Sequence, residues 1–359
     1  MISEIFIKYL DLFSQWTVDS LNTIGMSNIM TSLIVDGIIT GVGGILTFLP
    51  NIAILFLALA FLEDSGYMSR VAYIMNGIME KIGLSGKASI PMILGFGCTV
   101  PAVMASRTLE NEKDRLKTIL ITPFMSCSAK IPIYVLFAKM FFPKTAPLVA
   151  FSMYIIGLAV AIIIALVMSK LDKDKSKDLL LIELPEYKTP DAGTVIRYVW
   201  EKVKEYLTKA GTTIFVASII IWALLNFGTT GMVENISDSF GAKIGEWLVP
   251  ILKPAGLGYW QIAVSLISGL AAKETVISSM NVLYGGTGNM LSSLTTVGFN
   301  AVNAFAFMTF CLLYVPCMAT LATIKKETNS IKWTMCSVLL QIIIAWLIAT
   351  LIYQVGSLF

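Results

Sequence analysis

About eight long apolar segments constrain the fold of this chain more than any other feature. They lie at 41–62, 88–106, 116–142, 146–169, 209–227, 261–284, 301–323 and 333–355. A helix needs roughly 20 mainly apolar residues to cross the hydrocarbon core of a bilayer. Charged residues make up 14% of the chain, against roughly 25% in soluble domains. The sequence therefore predicts an all-α, multi-pass transmembrane helical bundle in contact with membrane lipid.

The distribution of basic residues predicts how these segments are oriented. Lys and Arg concentrate in three short loops, 107–117, 170–208 and 324–332, and such loops stay on the cytoplasmic side. Eight complete crossings would contradict this pattern. The conflict disappears if 88–106 and 261–284 are re-entrant, entering and leaving on one side. Each half then contains a span, a re-entrant or broken element and two further spans, in opposite orientations, as in transporters with inverted repeats.

This topology divides the chain into four parts. We expect an amphipathic lead-in (1–35), a first membrane repeat (36–169), a charged cytoplasmic linker (170–208) and a second membrane repeat (209–359). Direct similarity between the halves is faint, with GFGCTVPAV (95–103) matching GLAAKETVI (269–277) and FMSCSA (124–129) matching YVPCMA (314–319). The scheme places the N-terminus outside, so we expect the chain to be part of a longer protein.

Several classes of protein are disfavoured. The chain has no histidine, which excludes a histidine-based catalytic triad, and no nucleophile–base pair indicates an enzyme. Its five cysteines lie in apolar surroundings, unlike a disulfide framework. The net charge is +3, with the basic residues in loops, so nucleic acid is not an expected partner. The segment GLSGKAS (83–89) lacks the first glycine of a phosphate-binding loop, so no nucleotide site is predicted.

Two broken segments of the first half carry the strongest candidate site residues. Proline and glycine interrupt 88–106 around Cys98 and Thr99, at Pro91, Gly95, Gly97 and Pro101. Pro123 and Pro132 likewise bracket Met125, Ser126, Cys127 and Lys130. Non-helical backbone at membrane depth occurs only where protein or a cavity satisfies it. Thiol, thioether and carbonyl groups there suit a soft or borderline divalent cation. The alternative is a glycine-rich packing seam with inert thiols, in which Lys130 caps helix carbonyls.

The second half contributes fewer candidates. Lys273 and Glu274 interrupt the apolar segment 261–284, and Glu274 could offer a carboxylate to a cation or carry a proton. The pair could equally mark the polar tip of a hairpin. Cys317 follows Pro316 and is the counterpart of Cys127, with metal ligation and packing both open. Glu63 and Asp64, at a span end, are interfacial caps or part of a gated entry path, and Lys130 and Lys273 are also possible gating residues.

At these motifs the sequence resembles the membrane portion, with paired Gate domains, of FeoB-type ferrous iron transporters. The resembling stretches are GVGGILTFLPNIAILF (41–56), LEDSGYMSRVAYIM (62–75), the block from GFGCTVPAV to SAKIPIY (95–134) and SGLAAKETVISS (268–279). The resemblance implies uptake of Fe(II) across a bacterial or archaeal inner membrane. It matches Cys98 and Cys127 to cysteines of the first Gate motif and Glu274 to the second Gate motif. Cys317 also falls at a family cysteine.

The resemblance also implies what the chain works with. Family members begin with a cytoplasmic GTP-binding domain, a helical regulatory region and a first span, which we do not find in this sequence. We therefore expect Fe(II) as transported substrate, no permanently bound cofactor, a fused or separate GTP-binding domain, small accessory cytoplasmic proteins and a homo-oligomer. Two alternatives remain: a sodium- or proton-coupled carrier of nucleosides or another small solute, and a structural or assembly factor with packed thiols.

Overall fold

The computed structural model describes residues 12–18, 20, 23, 30–31, 33–171, 187–208, 212–228, 231–233, 236–284 and 286–358. Most of the predicted lead-in and residues 172–186 of the linker lie outside them. The described elements are a π-helix Leu33–Ile39, α1 Thr40–Asp64, α2 Tyr67–Lys81, α3 Ser89–Gly95, α4 Thr99–Ala105, α5 Glu112–Ile121, α6 Ile131–Phe141, α7 Ala146–Leu171, α8 Ala192–Tyr206, α9 Thr212–Asn226, β1 Phe227–Gly228, β2 Gly231–Met232, α10 Phe240–Leu252, α11 Trp260–Ser268, α12 Thr275–Leu283, α13 Thr287–Thr296, α14 Ala301–Leu313, α15 Met318–Thr328 and α16 Ile331–Gly356.

The predicted all-α membrane class is confirmed. Within the described residues, the strands are limited to the two-residue pair β1 and β2, which is antiparallel. Four described stretches are long and apolar enough to cross a membrane: Glu112–Phe141, Ala146–Leu171, Ala301–Thr328 and Ile331–Gly356. The predicted number of about eight segments is not confirmed, because shorter helices such as α3, α4, α11 and α12 take the place of continuous spans in the interrupted segments.

The helices pack into two compact units. One comprises residues 1–65 and 187–243, and the other comprises residues 66–186 and 244–359. The predicted boundaries of the two Gate repeats follow sequence and topology instead, and they stay a prediction.

In the first unit, helix α8 packs along α1. Val195 and Val203, eight residues apart on one face of α8, are buried. Asp191 caps the helix, because its carboxylate accepts hydrogen bonds from the N–H and the hydroxyl of Thr194. These bonds hold the pKa of Asp191 below its ordinary value. Asp64 accepts a bond from the Asp191 N–H (2.9 Å) and pairs with Lys188 (2.7 Å), so the end of α1 fixes the start of α8.

The second unit contains two continuous spans and two interrupted ones. Helices α7 and α16 each run for 26 residues without a break. The stretch Glu112–Phe141 is interrupted between α5 and α6, and the stretch Ala301–Thr328 between α14 and α15. Proline lacks the N–H that a helix interior requires. Pro123, Pro132 and Pro316 lie at these interruptions, so the local sequence accounts for both.

Aromatic rings fill the core beside the interruptions. The rings of Phe137 on α6 and Phe307 on α14 have centroids 4.8 Å apart, and those of Phe141 and Phe299 are 5.5 Å apart. Gly157 allows α7 to approach the first interruption closely, since a Cβ there would lie 2.8 Å from the carbonyl oxygen of Phe124. The break is therefore held between packed helices.

Candidate functional site

The first half brings two helix breaks together. Helix α3 ends at Gly95 and α4 begins at Thr99, with Cys98 extended as the residue before α4. Cys127 is extended in the same way, between two short 3-10 turns. Ser128 joins the two breaks, because its N–H (3.1 Å) and its hydroxyl (2.9 Å) both donate to the carbonyl of Gly97. Cys98 and Cys127 are thus adjacent to a backbone cross-link that connects their segments.

The second half repeats this arrangement. Helix α11 ends at Ser268 and α12 begins at Thr275, while Cys317 is the extended residue before α15. The N–H of Met318 donates to the carbonyl of Leu270 at 2.9 Å. In each half, the residue after the cysteine binds a carbonyl in the neighbouring broken segment. Leu270 is therefore the structural partner of Gly97, one residue away from the match that the sequences suggested, because hydrogen bonds and not residue types define the equivalence.

Three thiols converge at these breaks. Cys98, Cys127 and Cys317 lie close enough to interact electrostatically, and each is partly buried. The Sγ of Cys317 is 3.3 Å from the Thr320 hydroxyl. Of the remaining cysteines, Cys311 is buried and Cys336 is exposed. Among the described residues, no group of three or more cysteine, aspartate or glutamate side chains has metal-holding geometry. The thiols are thus neighbours without being a closed ligand shell.

Lys130 is buried at the break between α5 and α6, and its ammonium group binds only backbone carbonyls. Its ammonium group donates to the carbonyls of Leu312 (2.6 Å), Met125 (3.3 Å) and Pro123 (3.3 Å), and 2% of the residue is exposed. A charged side chain within a membrane should face a partner or a cavity, and these carbonyls are such partners. Since Leu312 belongs to the second half, Lys130 also ties the two halves together.

Lys273 occupies the matching place in the second half. Its ammonium group donates to the carbonyl of Val315 and lies 3.1 Å from the centroid of the Tyr314 ring. It is as buried as Lys130. Met125 and Val315 each lie two residues before a cysteine of the thiol group, Cys127 and Cys317. At the α5–α6 break and at the α14–α15 break, one ammonium group thus binds the carbonyl two residues before the cysteine.

The other predicted residues of the first half serve the packing of the breaks. The Ser126 hydroxyl donates to Tyr134 at 3.3 Å, and Met125 is fully buried. A Cβ on Gly95 would lie 3.0 Å from the Cβ of Met125, so the glycine permits this contact. Thr99 and Pro101 are buried in the first turn of α4.

Glu274 is placed differently from the thiols. It precedes α12, is partly buried, and its side chain makes no capping hydrogen bond. Its backbone carbonyl accepts from Ile277 at 3.1 Å, but no hydrogen bond or ion pair joins its carboxylate to another described residue, so the carboxylate remains open to a ligand. Of the two possible gating acids in the other unit, Glu63 is exposed, whereas Asp64 binds Lys188.

Sequence reasoning missed a group of hydroxyls at the second broken segment. Ser279 donates to the Ser268 hydroxyl at 2.7 Å, and Thr275 donates to the Ser268 carbonyl at 2.7 Å. It also missed Tyr314, whose ring faces Lys273. The available signal was the recurrence of small hydroxyl residues inside an otherwise apolar segment, with spacings that place them on facing turns of a broken helix.

Comparison with known proteins gives matches along nearly the whole chain. The Gate family model, described as nucleoside recognition, matches residues 45–141 and 207–331. A model described as the C terminus of ferrous iron transport protein B matches residues 150–202. The Fe(2+) transporter FeoB of Staphylococcus aureus (strain MSSA476) is 44% identical over 339 residues, covering 94% of this chain and 51% of the relative.

Two further relatives differ in their coverage and composition. The Fe(2+) transporter FeoB of Methanocaldococcus jannaschii is 43% identical over 365 residues, covering 99% of this chain and 54% of the relative. A Fe(2+) transport protein A/Fe(2+) transporter FeoB fusion protein of Porphyromonas gingivalis is 37% identical over 394 residues, covering 96% and 46%. The chain thus spans about half the length of the curated relatives it matches. No solved structure matches it.

Proposed function

Because the chain belongs to the Gate family and corresponds to the membrane portion of FeoB-type transporters, we propose that it forms the membrane pathway for ferrous iron uptake. It is a multi-pass protein of the cell inner membrane, with four stretches in its described part, two of them interrupted, that are long and apolar enough to cross a bilayer. The proposed role is that of a permease that binds and releases Fe(II) as its substrate.

The convergence of Cys98, Cys127 and Cys317 at three helix breaks is the observation that carries this proposal. Fe(II) is a borderline cation for which mixed sulfur and oxygen ligands are suitable. Packing alone would not require thiols at three separate non-helical positions. In our proposal Fe(II) loses part of its water and is held by Cys98 and Cys127, with Cys317 and the open carboxylate of Glu274 approaching from the second half.

Alternating access would follow from movement of the broken segments. In inverted-repeat transporters the site lies between the two repeats, and rocking of one against the other exposes it to either side. Here backbone hydrogen bonds from Ser128 to Gly97 and from Met318 to Leu270 connect the two broken segments within each half. The connected segments can thus move together with their cysteines, while the Lys130 bond to Leu312 joins the two halves in the conformation described.

The unmatched half of the relatives motivates the proposed partners. We assign it to a GTP-binding domain, fused or separate, on the basis of the family resemblance. A small accessory protein is a second proposed partner, since the P. gingivalis relative carries Fe(2+) transport protein A in one chain with the transporter.

The test is anaerobic Fe(II) binding to the purified chain in detergent, measured by equilibrium dialysis. Cys98→Ser and Cys127→Ser should each weaken Fe(II) binding by more than tenfold, which corresponds to about 1.4 kcal/mol. Cys336→Ser is the matched control, because that thiol is exposed and lies outside the breaks. A circular dichroism spectrum and a size-exclusion elution volume equal to those of the wild type would show that the variants are folded. A Cys98→Ser/Cys127→Ser double variant that binds Fe(II) like the wild type would refute the proposal.

Nucleoside transport is the second candidate, favoured by the description of the Gate family model. The cluster of hydroxyl side chains of Ser268, Thr275 and Ser279 offers polar contacts that a nucleoside could use. The same dialysis with radiolabelled uridine and adenosine separates the two functions. Nucleoside binding that is insensitive to the cysteine substitutions, without Fe(II) binding, would favour this candidate.

A further inference from the structure

The apolar face of helix α8 is only partly covered within the described structure. Val195 and Val203 face α1 and are buried. Ile196 and Trp200, one turn apart, are 65% and 69% exposed, and Leu207 continues the same side. Residues at i and i+4 share a helix face. At 100° per residue Val203 falls on the same side as Ile196 and Leu207, so packing against α1 covers part of this apolar face and leaves Ile196 and Trp200 exposed.

Two basic residues and one acidic residue border this stripe. At 100° per residue, Arg197 and Lys204 fall together on one flank of the Ile196–Trp200 stripe, and Glu201, one turn after Arg197, lies beside them on the side away from the stripe. All three are exposed, and neither basic residue forms an ion pair with another described residue. An apolar stripe with Trp, flanked by Lys and Arg, is the pattern of a helix that lies in the plane of a membrane interface.

The position of α8 in the chain agrees with a location at the membrane surface. The apolar helix α9 begins at Thr212, six residues after α8 ends at Tyr206. The preceding segment belongs to the basic loop that the distribution of Lys and Arg places on the cytoplasmic side. Trp is enriched at the level of lipid headgroups, and the cytoplasmic leaflet carries anionic lipids that attract basic residues.

We propose that the Ile196–Trp200 face of α8 rests in the cytoplasmic leaflet and that Arg197 and Lys204 bind anionic lipid headgroups there. The apolar side chains supply contact with the acyl boundary, and the two basic residues supply the preference for negative charge. Because α8 is fixed to the end of α1 through Asp64 and Asp191, lipid bound at this face holds the first unit at the membrane surface. The proposal is independent of the transported substrate.

Hydrogen exchange in nanodiscs tests this surface. The purified chain is placed in nanodiscs of phosphatidylcholine alone or with one third phosphatidylglycerol, and exchange is followed by mass spectrometry in peptides covering α8. In the wild type, exchange should be at least threefold slower with the anionic lipid. Arg197→Gln/Lys204→Gln should abolish this difference. Lys139→Gln/Lys144→Gln, which removes two exposed basic residues far from α8 in the chain, should retain it and serves as the charge-matched control.

Two outcomes would overturn the proposal. One is equal exchange of α8 in both lipids for the wild type, with circular dichroism showing an intact fold. The other is an anionic-lipid effect that survives in the Arg197→Gln/Lys204→Gln variant. If α8 exchanges equally in both lipids and slows only when a cytoplasmic protein partner is added, the face is a protein-docking surface and our assignment to lipid is wrong.

Discussion

Replacing Lys130 by methionine isolates the contribution that the buried ammonium group makes to stability at the break between α5 and α6. Methionine has a similar length but cannot donate hydrogen bonds. Lys130→Met leaves three carbonyls without this donor, one bound at 2.6 Å and two at 3.3 Å. A buried acceptor that loses its partner costs about 1–3 kcal/mol, and the two longer bonds should fall at the low end because they exceed the usual range.

The free-energy balance still favours destabilisation. The three lost bonds amount to roughly 5 kcal/mol. Methionine recovers about 2.5–3.5 kcal/mol, because a lysine at the centre of a membrane helix carries that insertion cost. The net loss is therefore about 2 kcal/mol, which corresponds to a fall of about 3 °C in the unfolding midpoint of a 359-residue chain, at an unfolding entropy of roughly 2.1 cal/mol/K per residue.

Thermal unfolding in detergent, followed by tryptophan fluorescence, measures this effect. Lys139→Met is the matched control, since Lys139 lies on the same helix and is exposed, and surface changes usually stay within about 0.5 kcal/mol. A Lys130→Met variant that unfolds at or above the wild-type midpoint would show that desolvation outweighs the carbonyl bonds. The assignment of Lys130 as a cross-link between the halves would then be refuted.

Smaller perturbations test the packing and the ion pairs. Gly157→Ala should lower the unfolding midpoint, whereas Gly77→Ala, where an added methyl group meets nothing within 4 Å, should not. Glu327→Gln breaks the bidentate pair with Arg107, in which the Arg107 side chain is 41% exposed and the Glu327 side chain 6% exposed, so the loss should be about 1–2 kcal/mol, with recovery in an Arg107→Glu/Glu327→Arg swap. The cap formed by Asp191 is fully present above the ordinary pKa of 3.8 and lost as the pH falls through the lower folded value. Hydrogen exchange in the first turn of α8 should accelerate there, and Asp191→Asn should lack this step.

Local chemistry made the helix breaks predictable. Pro123, Pro132 and Pro316 remove backbone donors and favour helix ends in the apolar segments that contain them, whereas Pro50 and Pro250 lie inside α1 and α10. Cys127 and Cys317 lie at these interruptions, so their non-helical backbone could be expected from the sequence. The all-α membrane class followed in the same way from segment length and the scarcity of charge.

Long-range contacts were beyond the reach of the sequence. Lys130 bonds to Leu312, 182 residues away, and no periodicity encodes which carbonyl a buried ammonium group meets. The equivalence of Gly97 and Leu270 was shifted by one residue in the sequence comparison, because the matching letters were few and the hydrogen bonds involve backbone atoms that every residue carries. For the same reason, the sequence located Cys98, Cys127 and Cys317 in breaks but not the backbone hydrogen bonds that join the broken segments.

The hydrogen-bonding state of the carbonyls limits which ligands a cation can use in this conformation. The Gly97 carbonyl already accepts from Ser128, and those of Met125 and Val315 accept from Lys130 and Lys273. A cation that takes either of the latter two carbonyls has to displace an ammonium group, with the electrostatic cost of bringing two positive charges together. The thiols and the Glu274 carboxylate bind neither ammonium group in this conformation, so in our proposal they receive the ion first, and ligation by the carbonyls requires that the lysines move.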